Sequence, residues 1–209
     1  IEVLNMAQMT NYLMVGHNIP PFPDPPQRVM DILNYEPDNS SSAMANGKGF
    51  AMGAAFNFET GEQTFLMFYG SFGCGLGFDI MLKDFSDYTC AGRGSMGING
   101  WYAQGQAYAW VAATVGIKVN LRFYKGRYEI LDFQAAALLQ AEAPNPFWMR
   151  GTVGGKYNIL GGLVKGDCRF DFELGEKCEL VATGSPLDGI EVIADISPKD
   201  GKTDVDVYS

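Results

Sequence analysis

The chain predicts a mainly β fold, an antiparallel sheet or sandwich with a short helical N-terminal portion, on three observations. Apolar and polar residues alternate with period two over long runs. Rings and glycines are abundant, with 14 Phe, 10 Tyr, 3 Trp and 26 Gly in 209 residues. Turn residues punctuate the runs at short intervals. Side chains that alternate across a pleated backbone build two unlike faces, and flat rings separated by Gly suit strands better than helix bundles.

The elements follow in order. Asn5 is placed to cap a first helix through Met6, Met9 and Leu13, with Gly16 as a left-handed stop. Residues 19–23, with three prolines, cannot be helical and are expected to run extended. Asp24 as N-cap, Pro25 at the first helical position and Gln27 three residues after the cap predict a second helix, with Val29, Met30 and Leu33 on one face. Residues 38–42 are a polar loop. From residue 70 to 83, Phe72, Cys74, Leu76, Phe78, Ile80 and Leu82 alternate with glycines, Asp79 and Lys83, and the apolar set is expected to be the dry face. Tyr102, Gln104, Gln106, Tyr108 and Trp110 point one way, and the alanines and glycine between them the other. Ile117, Val119, Leu121 and Phe123 alternate with polar partners, and Lys125-Gly126 is expected to turn the chain into Tyr128. Residues 134–142 carry helix-favouring Ala and Leu between strand-like segments and are read as strand over helix. Phe170, Phe172 and Leu174 mark a late strand. The expected division is 1–46, helical and proline-rich; 47–182, the antiparallel β domain; and 183–209, a linker and one further strand.

Charge and cysteine usage narrow the function classes. The formal net charge of −9 comes from 24 acidic and 15 basic residues with no basic run, which repels a phosphate backbone and excludes nucleic acid as the expected partner. No apolar run reaches the ~20 residues of a membrane helix. A membrane barrel fits the alternation, but the proline-rich start, the scarcity of full-length strands and the lack of aromatic girdles favour a sheet that does not span a membrane. The chain begins Ile1-Glu2-Val3 without an initiator Met, which reads as a piece of a longer polypeptide. Cys168 and Cys178 flank a turn near Gly175 and are a candidate disulfide, with free thiols as the even alternative. The absence of a CxxC pair or a nearby His argues against zinc.

Candidate chemistry is sparse. The single histidine, His17, has no partner to form a catalytic or metal-binding group. Gly73-Cys74-Gly75-Leu76-Gly77 lies inside a strand with GxGxG spacing, unlike a dinucleotide loop. Asp171 and Glu173 share a strand face with Arg169, the pattern of a solvated face rather than of a two-acid glycosidase. Asp200-Gly201 is ordinary turn chemistry, with a calcium loop as the lesser reading. No enzyme and no cofactor are expected. Trp101, Tyr102, Tyr108, Trp110 and Trp148 are candidate ligand or partner contacts, an aromatic strand face of the kind that stacks on sugars.

Several long segments carry a resemblance. GCGLGFDIMLK at residues 73–83, GINGWYAQGQAYA at 97–109, PNPFWMRG at 144–151 and LGGLVKG at 160–166, together with the IPPFPDPP and VMDIL segments, resemble the TANFOR-type domain of very large Bacteroidetes proteins over residues 6–182. The tail at 196–207, ISPKDGKTDVDV, resembles the opening of a bacterial Ig-like domain. The resemblance implies a module of giant multi-domain secreted or cell-surface proteins and carries over no catalytic residue. The expected function is a non-enzymatic structural or scaffolding segment at the cell surface or outside the cell, forming filaments in one version. Its expected partners are neighbouring domains and copies of itself. The alternative is an adhesion or carbohydrate-binding module.

Overall fold

Pairing between strands prevails over local helix preference wherever the two compete in this chain. A computed structural model describes residues 7–21, 23–37, 48–92, 94–178 and 180–182. Among the described residues the strands are β1 (Ala7–His17), β2 (Lys48–Glu59), β3 (Gln63–Phe65), β4 (Phe68–Asp84), β5 (Tyr88–Cys90), β6 (Gly94–Ser95), β7 (Trp101–Leu121), β8 (Tyr124–Ala143), β9 (Trp148–Ile159), β10 (Val164–Gly175) and β11 (Leu180–Ala182), and the one α-helix is α1 (Gln27–Leu33). The fold is mainly β and antiparallel, with a short helix near the N-terminus, as the sequence predicts.

Three local expectations are corrected. The first expected helix is strand β1, which pairs with β2 from Ala7↔Phe58 to His17↔Lys48. Met9 and Leu13 satisfy a helical spacing, but they also alternate with Thr10, Tyr12 and Met14, and a ladder with β2 along all eleven residues pairs the inward-facing backbone groups. The residues before 47 therefore contribute a strand to the main sheet. The second helix forms, but Pro26 stands at its N-cap and no side chain caps it. The turn expected at Lys125-Gly126 falls at residues 122–123, because pairing runs on to Leu121↔Tyr124 and holds Gly126 against Val119. Residues 134–142 are strand, as read. The loop at 38–42, the linker and Ig-like strand after 183, and the candidate calcium turn lie outside the described residues.

The main sheet is an antiparallel meander in the order β1-β2-β4-β7-β8-β9-β10, with β3 folded back on β4. Connections at its two ends differ. At one end the chain reverses between Glu59 and Phe68, Leu121 and Tyr124, and Ile159 and Val164; at the other it does so between His17 and Lys48, Asp84 and Trp101, and Ala143 and Trp148. The second end also carries a small sheet in the order β11-β5-β6. There Phe85, Met96 and Tyr102 form a core with the Cys90–Cys178 disulfide. Cys178 thus bonds Cys90 (Cα–Cα 5.3 Å) and not Cys168. Cys168 lies within β10 opposite Gly155, whereas the chain leaves that strand at Gly175 and carries Cys178 into the small sheet.

One segment covers one face of the main sheet. Residues 19–34 run from an extended proline-rich stretch into α1, whose Val29, Ile32 and Leu33 pack on Trp110, Ala136 and Leu138. Ile19 packs with Ala51 and Met81, beside Tyr12 and Met14. Arg28 pairs with Glu59 at 3.1 Å, Lys156 donates to the Asp31 carbonyl at 2.7 Å, and Arg169 donates to the carbonyls of Leu33 at 2.6 Å and Asn34 at 3.0 Å. The segment therefore touches all seven long strands from one side. Cations at the C-terminal carbonyls of α1 complement its dipole.

Candidate functional site

Register and alternation assign every strand residue to a face. On one face lie Gly73, Gly75, Gly77, Asp79, Met81 and Lys83 of β4, followed across the ladder by Gln104, Gln106, Tyr108 and Trp110 of β7. This is the face that residues 19–34 cover. On the opposite face lie Phe72, Leu76, Phe78, Ile80 and Leu82, and nothing among the described residues covers them: Leu76 is 58% and Ile80 43% exposed, while Lys83 is 1% exposed. The side expected to be dry is the bare one, and the side bearing the charge is buried.

Apart from Asn11 on the edge strand β1, the bare face is apolar across the sheet. Across the strands one ladder row reads Met9, Phe56, Leu76, Ala109, Ala137, Val153 and Phe170. No Asp, Glu, Lys or Arg projects from it between 50–58 in β2, 72–82 in β4, 103–115 in β7, 131–143 in β8, 149–159 in β9 and 164–174 in β10. Charge returns at the loop end, where the next row is His17, Lys48, Asp84 and Trp101, with Lys48 and Asp84 paired at 3.1 Å. Toward the turn end the ladder aligns Phe72, Phe133 and Tyr157 in one row. With strands ~4.8 Å apart and ~3.3 Å of rise per residue, the face measures about 1,000 Å² in projection. That is well above the few hundred Å² of a soluble monomer's largest apolar patch.

The covered face is polar and organised. Tyr12 donates to Asp79 at 2.7 Å, and the Gln106 amide donates to Asp79 and to the Pro23 carbonyl, each at 2.8 Å. Burial, then the neighbouring Asp79 carboxylate, raises the Tyr12 and Tyr108 hydroxyl pKa values. Lys83 donates to the Ile19 carbonyl at 2.6 Å, and burial pushes its ammonium down to about 8. Tyr102 donates to the Pro146 carbonyl at 2.9 Å; burial and Glu142 hold its hydroxyl protonated above the ordinary range. Arg169 grips Asp171 at 2.7 and 3.0 Å, and with Thr152 holds that carboxyl at about 2. Gly75 and Gly77 are needed here, because a Cβ on either would run into the Trp110 or Tyr108 ring lying over the strand.

The five aromatic candidates are not brought together as a platform. Tyr102, Tyr108, Trp110 and Trp148 share the covered face, while Trp101 projects from the opposite side and lines a shallow apolar depression with Val15 and Phe50. Trp110 lies beneath α1 with the Arg28 guanidinium 4.7 Å from its ring centroid. Trp148 is 7% exposed and donates to Glu173 at 2.6 Å. Tyr102 belongs to the core under the small sheet. The residues missed by sequence reasoning are Tyr12, Asp79, Lys83 and Gln106; two charged side chains on the glycine side of a single strand were the available signal.

Among the described residues, no three His, Cys, Asp or Glu side chains converge as metal ligands, and no helix is long and apolar enough to cross a membrane. Neither family models, nor curated proteins, nor solved structures give a match to this chain.

Proposed function

We propose that the chain is a non-enzymatic structural wall segment of a large secreted or cell-surface protein, built so that its apolar face is covered in the working assembly. The observation that carries this reading is the reversal of the two faces: apart from the Lys48–Asp84 pair at the loop end, the charges of the long strands lie on the side that residues 19–34 cover, and a charge-free apolar band is left bare. At ~25 cal/mol per Å², covering about 1,000 Å² is worth on the order of 25 kcal/mol before entropic costs. That exceeds the ~5–15 kcal/mol net stability of a typical domain, so association dominates the behaviour of this surface. The resemblance to modules of giant surface proteins supports the same reading. Neighbouring domains, copies of the chain or another apolar phase fill the role of cover.

Sedimentation velocity in plain buffer, with and without a non-ionic detergent, tests it. The expected result is self-association without detergent and dispersal with it. A stable, monodisperse monomer in plain buffer overturns the proposal.

A further inference from the structure

Resting on that reading, and reversing the sequence-based expectation of a sheet that does not span a membrane, we propose that the cover is the acyl-chain region of a lipid bilayer, and that the seven long strands are a sector of an antiparallel transmembrane β-barrel with residues 19–34 on its lumen side. Four observations point to lipid rather than to a second protein layer. The apolar run is roughly 9–13 residues on each of β2, β4, β7, β8, β9 and β10, against the ~9–11 that a tilted strand needs to cross the hydrocarbon. The band has a charged row at one end and an aromatic row, Phe72-Phe133-Tyr157, toward the other. The two longest connections, His17 to Lys48 and Asp84 to Trp101, share one end of the meander, an asymmetry also found in outer-membrane barrels. The opposite face, beside its apolar contacts with residues 19–34, carries the buried Asp79, Lys83, Gln106 and Glu142, polar groups of the kind a lumen side holds.

Strand parity adds a requirement. Seven alternating strands leave β1 and β10 running in the same direction, so joining them directly would make a parallel seam. Lipid tolerates no unpaired strand edge. An all-antiparallel closure therefore needs an odd number of strands beyond the seven.

The free thiols Cys74 and Cys168 test the proposal, because both project from the apolar face in one ladder row. The protein is labelled there with bimane and returned to phosphatidylcholine vesicles carrying brominated acyl chains. The expected result is loss of emission with the brominated lipid and none with aqueous iodide. Moving the label by one residue, with Asp167→Cys in a background carrying both Cys74→Ser and Cys168→Ser, turns it to the other face and should reverse both responses. A label shielded from iodide but untouched by brominated chains means a protein cover; that overturns the lipid assignment and leaves the wall-segment reading standing. A label quenched by iodide in every state overturns both. Failure to partition with the vesicles overturns the lipid assignment alone.

Discussion

The two faces of the main sheet are made by the same strands, yet they hold their neighbours by different physics. On the covered face, contacts are directional: Arg169 and Lys156 take particular carbonyls of α1, and Gln106 bridges Asp79 to Pro23. On the bare face, Leu76, Val153 and Phe170 offer area and no direction. Hydrogen-bonded polar groups specify one arrangement, whereas apolar area is satisfied by any apolar neighbour of sufficient extent. The comparison assigns fold specification to the polar side and association to the apolar side.

The largest expected effect comes from placing a charge on the bare face. Leu76→Lys should destabilise the covered form by about 4 kcal/mol, because the ammonium would be buried without a partner. Gln140→Lys, on the polar side, should change it by less than ~1 kcal/mol. Chemical denaturation of the detergent-bound protein measures both, and equal effects would dissolve the contrast. Leu33→Ala, which empties a buried site under α1, should cost about 3 kcal/mol, against less than ~1 kcal/mol for Leu139→Ala on the bare face in plain buffer. Opening the 88-residue separation closed by Cys90 and Cys178, with serine at both, should cost about 2 kcal/mol. The loss should appear as faster hydrogen exchange in β5 and β11, with α1 unaffected.

A pH dependence that belongs to the covered face alone is also expected. Lys83 sits at about 8 when folded against 10.5 when free, so between those values the unfolded chain binds a proton that the folded chain does not. Stability should therefore rise with pH from about 8 toward 10, by at most ~1.4 kcal/mol per unit. Above about 10 it should fall, because burial keeps Tyr12, Tyr102 and Tyr108 protonated in the fold while the unfolded chain releases those protons. Lys83→Met should flatten the rising limb of urea midpoints against pH and leave the falling limb in place.

Strands were legible because period two survives any environment, whereas the direction of burial did not follow from it. Alternation over residues 70–83 shows that the two faces differ; it does not say which one meets water. Gly73, Gly75 and Gly77 looked like a polar, solvated row, but they are the floor on which Trp110 and Tyr108 lie. The first helix was misread because Met9 and Leu13 fit both periods, and only the long-range ladder to β2 decides between them. The disulfide was misread because sequence proximity brought Cys178 near Cys168, while the loop after β4 brings Cys90 to it from much farther along the chain. The aromatic row at Phe72, Phe133 and Tyr157 is invisible without register, since those residues come from three strands.

The grip of β9 and β10 on α1 sets a schedule for assembly. Lys156 and Arg169 meet helix carbonyls 125 and 136 residues earlier in the chain, whereas each reversal of the meander joins near neighbours. Contacts between distant residues form late, after local pairing has shortened the loops they must close. The helix is thus translated early and seated last, and a polypeptide stopped after β8 would pair most of its strands while α1 still lacked both basic side chains that hold its end.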